Sequence, residues 1–184
     1  MMPNKSCYCM KKLYTELVII VLFVVNLNLN AQIIRTKLDV VGGFSFREYL
    51  HAGLRYQYTD FTQLGLFIGT DGGIYPEIVN TYCFDHQIHF GKTSFISNRP
   101  VWYARQGFTY VISHESDRKR KFSYLNFAMG RDFNINNWFG INADIGFIFQ
   151  VREKMEYKDP NLDPWYRTNW YWLPLFRLQL FYSF

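Results

Sequence analysis

Three short segments carry side chains whose types and spacing could do chemistry. His114-Glu115-Ser116, if extended, puts an imidazole and a hydroxyl on one side of the backbone, as a base and a nucleophile require. His86-Gln87-Ile88-His89 holds two imidazoles three residues apart. On a strand those positions point to opposite faces, so without a bulge they cannot share a metal, and no cysteine or acidic cluster at ligand spacing supports one. Asp117-Arg118-Lys119-Arg120-Lys121 is the strongest charge feature, a cation cluster suited to anionic phosphates. A lone His/Ser pair is unspecific, so what these segments can do depends on the elements that hold them.

Those elements read as strands. From Trp138 to Val151, the residues Phe139, Ile141, Ala143, Ile145, Phe147, Phe149 and Val151 share one face, while Gly140, Asn142, Asp144, Gly146, Ile148 and Gln150 share the other. A run of about ten residues or more suits a tilted membrane strand better than the five or six typical of soluble sheets. Phe176, Leu178, Leu180, Tyr182 and Phe184 repeat the pattern, alternating with Arg177, Gln179, Phe181 and Ser183. Six further strands can be drawn over Lys37–Phe46, Leu50–Tyr58, Gln63–Gly69, Thr81–Gly91, Val101–Ile112 and Phe122–Phe133. His86 and Gln106 interrupt the apolar faces of two of them, which implies a bulge or another register.

Ahead of the strands, Lys11 and Lys12, the apolar run Leu17–Val25 and a polar stretch to Ala31-Gln32 follow in the order of a secretory signal peptide. Nine apolar residues are too few to span a bilayer as a helix. Cleavage is expected after Ala31, leaving residues 32–184 as one domain. Of the three cysteines only Cys83 then remains, which excludes an intramolecular disulfide. Residues 32–184 carry 17 Lys+Arg against 14 Asp+Glu, a mild excess that, with secretion, points away from nucleic acid. No later segment approaches the roughly 18 apolar residues of a helical span; barrel strands need apolar residues only at alternate positions.

The connections offer an independent test. Thr59–Thr62 and Asn134–Asn137 are short, and Thr70–Asn80, Ser113–Lys121 and Arg152–Tyr171 are long. In an eight-strand count they alternate, which puts the long loops on one side and short turns on the other, as in outer-membrane barrels. Arg47–Tyr49 is very short for an outer loop, and Lys92–Pro100 is long for a periplasmic turn.

On this pattern residues 33–184 resemble the small eight-stranded bacterial outer-membrane barrels, and the Asn-Ala-Gln signal ending resembles those common in Bacteroidota. The alternating Phe176, Leu178, Leu180, Tyr182 and Phe184 resemble the C-terminal recognition strand that the barrel assembly machinery reads in that family. His114-Glu115-Ser116 vaguely resembles the His-x-Ser element of outer-membrane lipid A deacylases, but where that family has Asn after the Ser, this chain has Asp117.

The fold class is therefore all-β: a single antiparallel transmembrane barrel of about eight strands after a cleaved signal peptide, located in the outer membrane. Its inward positions hold Lys37, Asp39, His51, Arg55, Gln57, Gln63, Asp85, Gln87, His89, Arg105, Asn126, Asn142, Asp144, Arg177 and Gln179. Eight strands leave a lumen just wide enough for side chains, so Asp39, Asp85 and Asp144 are expected to pair with Arg55, Arg105 and Arg177 in a filled polar network. Arg118, Lys119, Arg120 and Lys121 form an outer loop placed to meet lipopolysaccharide phosphates. The last outer loop adds Trp165 and Tyr166, with Trp170, Tyr171 and Trp172 in an interfacial aromatic belt. The reading is non-enzymatic, with no cofactor and no metal, and serves envelope integrity or surface interaction. A narrow, porin-like solute channel is the alternative, and a lipid A-modifying hydrolase stands behind both. A soluble lipocalin-type barrel would invert the faces. The placing of Arg, Asn and Asp on the small glycine-rich side argues for lipid outside.

Overall fold

Nine strands and no helix make up the described residues of the computed structural model, which are 37–46, 48–72, 78–97, 99–158, 165–167 and 171–184. The expected signal segment, residues 1–31, lies outside them. The strands are β1 (Lys37–Ser45), β2 (Tyr49–Gln57), β3 (Thr62–Thr70), β4 (Ile78–Thr93), β5 (Pro100–His114), β6 (Arg118–Asn134), β7 (Phe139–Tyr157), β8 (Trp165–Arg167) and β9 (Trp172–Ser183). Each from β1 to β7 pairs antiparallel with the next, and β9 closes the ring between β7 and β1. Eight strands thus form a closed barrel. β8 is a three-residue addition on the upper part of β7.

The ladders carry a fixed offset. Lys37 pairs with Gln57, and the path continues through Gln63, Gln87, Arg105, Ala128, Gly146 and Leu175. The β9–β1 register pairs Ser45 with Arg177, two residues beyond Leu175, so the circuit closes with an offset of ten residues. That offset is the shear that tilts the strands and fixes a narrow bore.

Period-two alternation sorts the side chains. Leu66 and Ile145 are 66% and 69% exposed on the outer wall, while Arg105 and Arg177 are 2% and 0% exposed within. The wall is apolar outside and polar inside, the reverse of a soluble ligand-binding barrel.

At the end that carries the start of β1 and the end of β9, the β2–β3 and β6–β7 turns are compact and the β4–β5 turn is longer. At Thr59–Thr62 the two threonine hydroxyls bond to each other and the Tyr58 amide donates to the Thr62 carbonyl (3.2 Å). Between β6 and β7, Asn136 Oδ1 accepts from the amides of Trp138 (2.8 Å) and Phe139 (2.7 Å), a side-chain turn of the kind asparagine favours. The opposite, far rim is uneven. β1, β2 and β3 have 9 residues each, whereas β6 has 17 and β7 has 19.

Three expectations from the sequence are corrected. The basic run is not a loop: β6 begins at Arg118, and β7 continues to Tyr157, so the two strands run well past their expected ends. Val151 is not simply outward. Tyr124 pairs with Gln150 and Ser123 with Arg152, which makes Val151 the extra residue of a bulge and turns Glu153 inward. Around His86 and Gln106 the β4–β5 register runs unbroken from Ile78 to Phe90, so there is no bulge there. The two residues are direct cross-strand partners on the outer face.

Candidate functional site: a filled lumen and a charged rim

Inside the barrel the inward positions build a layered filling. In its middle, Arg105 and Arg177 each bridge the same two carboxylates. Arg105 reaches Asp144 through Nη2 (2.9 Å) and Nε (3.1 Å), and Asp85 through Nη1 (3.3 Å). Arg177 donates from Nε to Asp144 (3.0 Å) and from Nη1 to Asp85. Glu48 stands over both guanidiniums, at 3.7 and 3.9 Å. The thiol of Cys83 lies within donating reach of Asp85 (3.2 Å) and Glu48 (3.5 Å), with one proton for the two, and accepts from Thr109 (3.3 Å). Glu48, Cys83 and Asp85 have the ligand types of a metal site, but both carboxylates already face arginines, which makes them nodes of an ion-pair network.

A second cluster fills the end near the chain termini. Arg99 pairs with Asp39 (3.3 Å) and stands 3.9 Å from Asp132. Asp39 also accepts from Gln63 (3.2 Å) and Ser183 (2.5 Å), and the Gln63 amide oxygen lies 3.1 Å from His89 Nε2. Between the clusters, Arg55 donates to Gln179 (2.9 Å), and the Tyr103 hydroxyl donates to Asp144 (3.2 Å). Glycines make room for this filling: a side chain at Gly107 would collide with Asp85, and one at Gly130 with Tyr103.

Above the central ring the filling turns apolar. Val79, Val111, Tyr124 and Ile148 are buried together, with Tyr49, Phe122 and Leu173 packed against them. Ion pairing of Arg99, Arg105 and Arg177 offsets the penalty of burying those charges, while Arg55 is held by an amide; the apolar layer adds side-chain volume above them.

Asp39, Arg55, Asp85, Arg105, Asp144 and Arg177 are all buried in the lumen. The pairing differs in one respect from the expected set, because Arg55 meets amides while Asp39 takes Arg99. Lys37 opens β1, but its side chain lies outside what is described. Three charged members of these two clusters were missed from the sequence, Asp132, Glu48 and Arg99. Asp132 was legible, since it shares parity with Asn126 on β6. Glu48 and Arg99 come from connections rather than strands, so alternation could not reveal them. The two connections that looked anomalous each deliver one of these charges. The short β1–β2 hairpin sends Glu48 inward next to Tyr49, whose φ of 54° is in the left-handed region that few non-glycine residues adopt. The long β4–β5 turn folds Arg99 back under the barrel.

On the outer wall, the Tyr58 hydroxyl and Gln106 Nε2 each lie 2.9 Å from a ring nitrogen of His86. The interruptions noted in the sequence are thus one hydrogen-bonded chain facing away from the lumen. His89, by contrast, is inside the barrel, so the two histidines share no site.

At the far rim, alternation splits the basic run. Arg120 lies on the inner side with Glu153 (2.8 Å) and Glu115 (3.4 Å), and Arg118 pairs with Glu115. Lys121 lies on the outer side, where it and Lys154 share Glu156 at 2.8 and 2.5 Å. Hydrogen bonds from Lys121 and then Lys154 hold the Glu156 carboxyl down at about 2. Ser116 gives its carbonyl to Lys158 (2.6 Å), and Glu115 between His114 and Ser116 is engaged by arginines. Phe176, Leu178, Leu180 and Tyr182 line the outer face of β9, and Phe184 is exposed beyond it.

No protein-family model matches this chain, and no curated protein matches it. Among solved structures it is similar to the N-terminal β-barrel domain of OprF from Pseudomonas aeruginosa, with a TM-score of 0.50 and 15% identity over 81% of this chain and 96% of that one. It is also similar to CarO from Acinetobacter baumannii, with a TM-score of 0.45 and 9% identity over 84% of this chain and all of that one. What it shares with the OprF domain is the fold.

Proposed function

We propose that this chain is a non-enzymatic outer-membrane barrel that serves envelope integrity or surface interaction through its rim and loops. The observation that carries this reading is the pairing of an apolar outer wall with a lumen packed by ion pairs and an apolar layer. A continuous belt of exposed leucine, isoleucine and aromatic side chains has no stable place in water. A bore occupied by an ion-pair network and an apolar layer leaves little room for solutes. The β9 face of Phe176, Leu178, Leu180, Tyr182 and Phe184 serves as the signal for the assembly machinery, and the same strand completes the ring. Lipopolysaccharide is the natural partner of the rim, where Arg118, Lys119, Arg120 and Lys121 cluster.

Two measurements test this. Purified protein in planar bilayers should give little steady conductance, and unboiled and boiled samples of the membrane fraction should migrate differently on a denaturing gel. Large, stable channels would overturn the plug and put a narrow solute channel in its place. Deleting Phe176–Phe184 should abolish accumulation in the outer membrane; a truncated chain that still inserted and stayed heat-modifiable would defeat the assembly role.

A further inference from the structure

Arg131 is exposed on the outer wall, near the end of β6 that leads into the compact β6–β7 turn. Its neighbours on that face are Trp102 on β5, Ala143 on β7, and Met129 and Phe133 on its own strand. None of the four carries a side-chain oxygen. The guanidinium carbon lies 5.3 Å from the centre of the Trp102 ring and 5.2 Å from that of Phe133, within reach of cation–π attraction. Among the described residues these rings are its only partners, and no carboxylate, carbonyl or hydroxyl accepts from it. Arg99, Arg105, Arg118, Arg120 and Arg177, by contrast, each meet a carboxylate. A ring satisfies none of the five N–H donors of arginine, so at Arg131 they remain for an acceptor from outside the chain. Arginine on a lipid-facing strand is costly at mid-bilayer and tolerated close to the interface. Between Arg131 and the tip of the turn lie exposed Phe133, Ile135 and Trp138, the aromatic and apolar side chains of a membrane border. The side toward β7 is open. Ala143, directly opposite Arg131, projects only a methyl group, beside Ile145 (69% exposed) and Leu178 (46% exposed).

We infer that Arg131, held by the Trp102 and Phe133 rings, binds the phosphodiester group of an inner-leaflet phospholipid, with an acyl chain lying over Ala143. A guanidinium suits this group because its paired N–H edges match two phosphate oxygens. The leaflet follows from the turn, since short turns mark the periplasmic end of such barrels. A free anion would meet one cation set in an apolar wall, whereas a phospholipid satisfies the donors and covers the wall together. This inference rests on the outer-membrane reading and is separate from the basic run at the far rim.

The test uses the full chain folded in detergent micelles that contain phosphatidylglycerol or the diacylglycerol with the same acyl chains, and counts retained lipid by native mass spectrometry. The unmutated chain should retain the phospholipid and release the diacylglycerol. R131Q should weaken retention by about tenfold or more, the scale of a lost pair of charge-assisted hydrogen bonds. R131K should fall between the two, because lysine keeps the charge and loses the paired N–H edge. A143F should weaken retention with the arginine intact, by filling the place of the acyl chain, and R120Q at the far rim should leave it unchanged. Millimolar inorganic phosphate should displace little of the lipid. Parent-like retention by R131Q, R131K or A143F, equal retention of the diacylglycerol, full displacement by inorganic phosphate, or a loss in R120Q equal to that in R131Q would each overturn the site. Heat-modifiability of the same samples separates this site from the reading beneath it. A folded barrel that fails to discriminate sinks the site alone, whereas a chain that never folds in a membrane mimetic sinks the outer-membrane reading and the site with it.

Discussion

Two groups of arginine in this barrel do similar pairing in opposite surroundings. Arg105 and Arg177 are sealed in the lumen, each bridging Asp85 and Asp144. Arg118 and Arg120 sit at the far rim, about a third exposed, against Glu115 and Glu153. The chemistry of the contacts is the same, but water is present at only one of them. In the lumen a lost partner strands an ion in a low-dielectric space. At the rim, solvent takes over the vacated contact. The contrast separates what holds the barrel together from what it presents to its surroundings.

The largest effect should come from breaking the buried ring. Arg177→Ala or Asp144→Asn should cost about 3–5 kcal/mol, because each leaves buried charges without a partner. Urea unfolding of bilayer-inserted protein measures this, and parent-like resistance in both variants would show that the ring adds nothing. Next is the apolar wall: Ile145→Arg should cost about 2–4 kcal/mol at its lipid-facing position. The neighbouring Gly146→Trp should fail to fold, since even a Cβ there would collide with Phe127 and Ala128 backbone. If arginine at position 145 is tolerated as well as in exposed loops, the faces are assigned wrongly.

The outward chain sharpens the comparison, because it places polar groups against lipid rather than in the lumen. His86→Leu and Gln106→Leu should each cost about 1 kcal/mol, in the range of hydrogen bonds between membrane-embedded side chains. Their effects should not add, and strictly additive losses in a double-mutant cycle would mean the two residues are independent. The smallest effect belongs to the rim, where Arg120→Gln should change stability by less than about 1 kcal/mol. A loss there as large as that of Arg177→Ala would erase the distinction between the two groups.

Much of this was readable from alternation. The eight barrel strands, the two faces and the inward placing of Arg105, Asp144 and Arg177 follow from period-two patterning, because one face must meet lipid and the other a crowded bore. Strand ends were harder. Arg118–Lys121 looked like a loop because it is charged, but a strand that rises past the apolar belt needs no apolar residues. The bulge at Val151 was invisible, since a single extra residue leaves an apolar face looking intact for one more position. Glu48 and Arg99 were hidden for another reason: their side chains enter the lumen from turns, and no periodicity reports on where a turn folds. His86 and Gln106 were noticed as irregularities, but that they answer each other required the cross-strand register.

The uneven rim gives the molecule a heading in the plane of the membrane. β7 is ten residues longer than β1, β2 or β3, so at roughly 2.5 Å of height per tilted residue one flank rises on the order of 20 Å above the other. A neighbour approaching from the β1–β3 side meets the ends of the short strands. From the β6–β7 side it meets a mast. A neighbouring molecule would thus distinguish one flank of the barrel from the other.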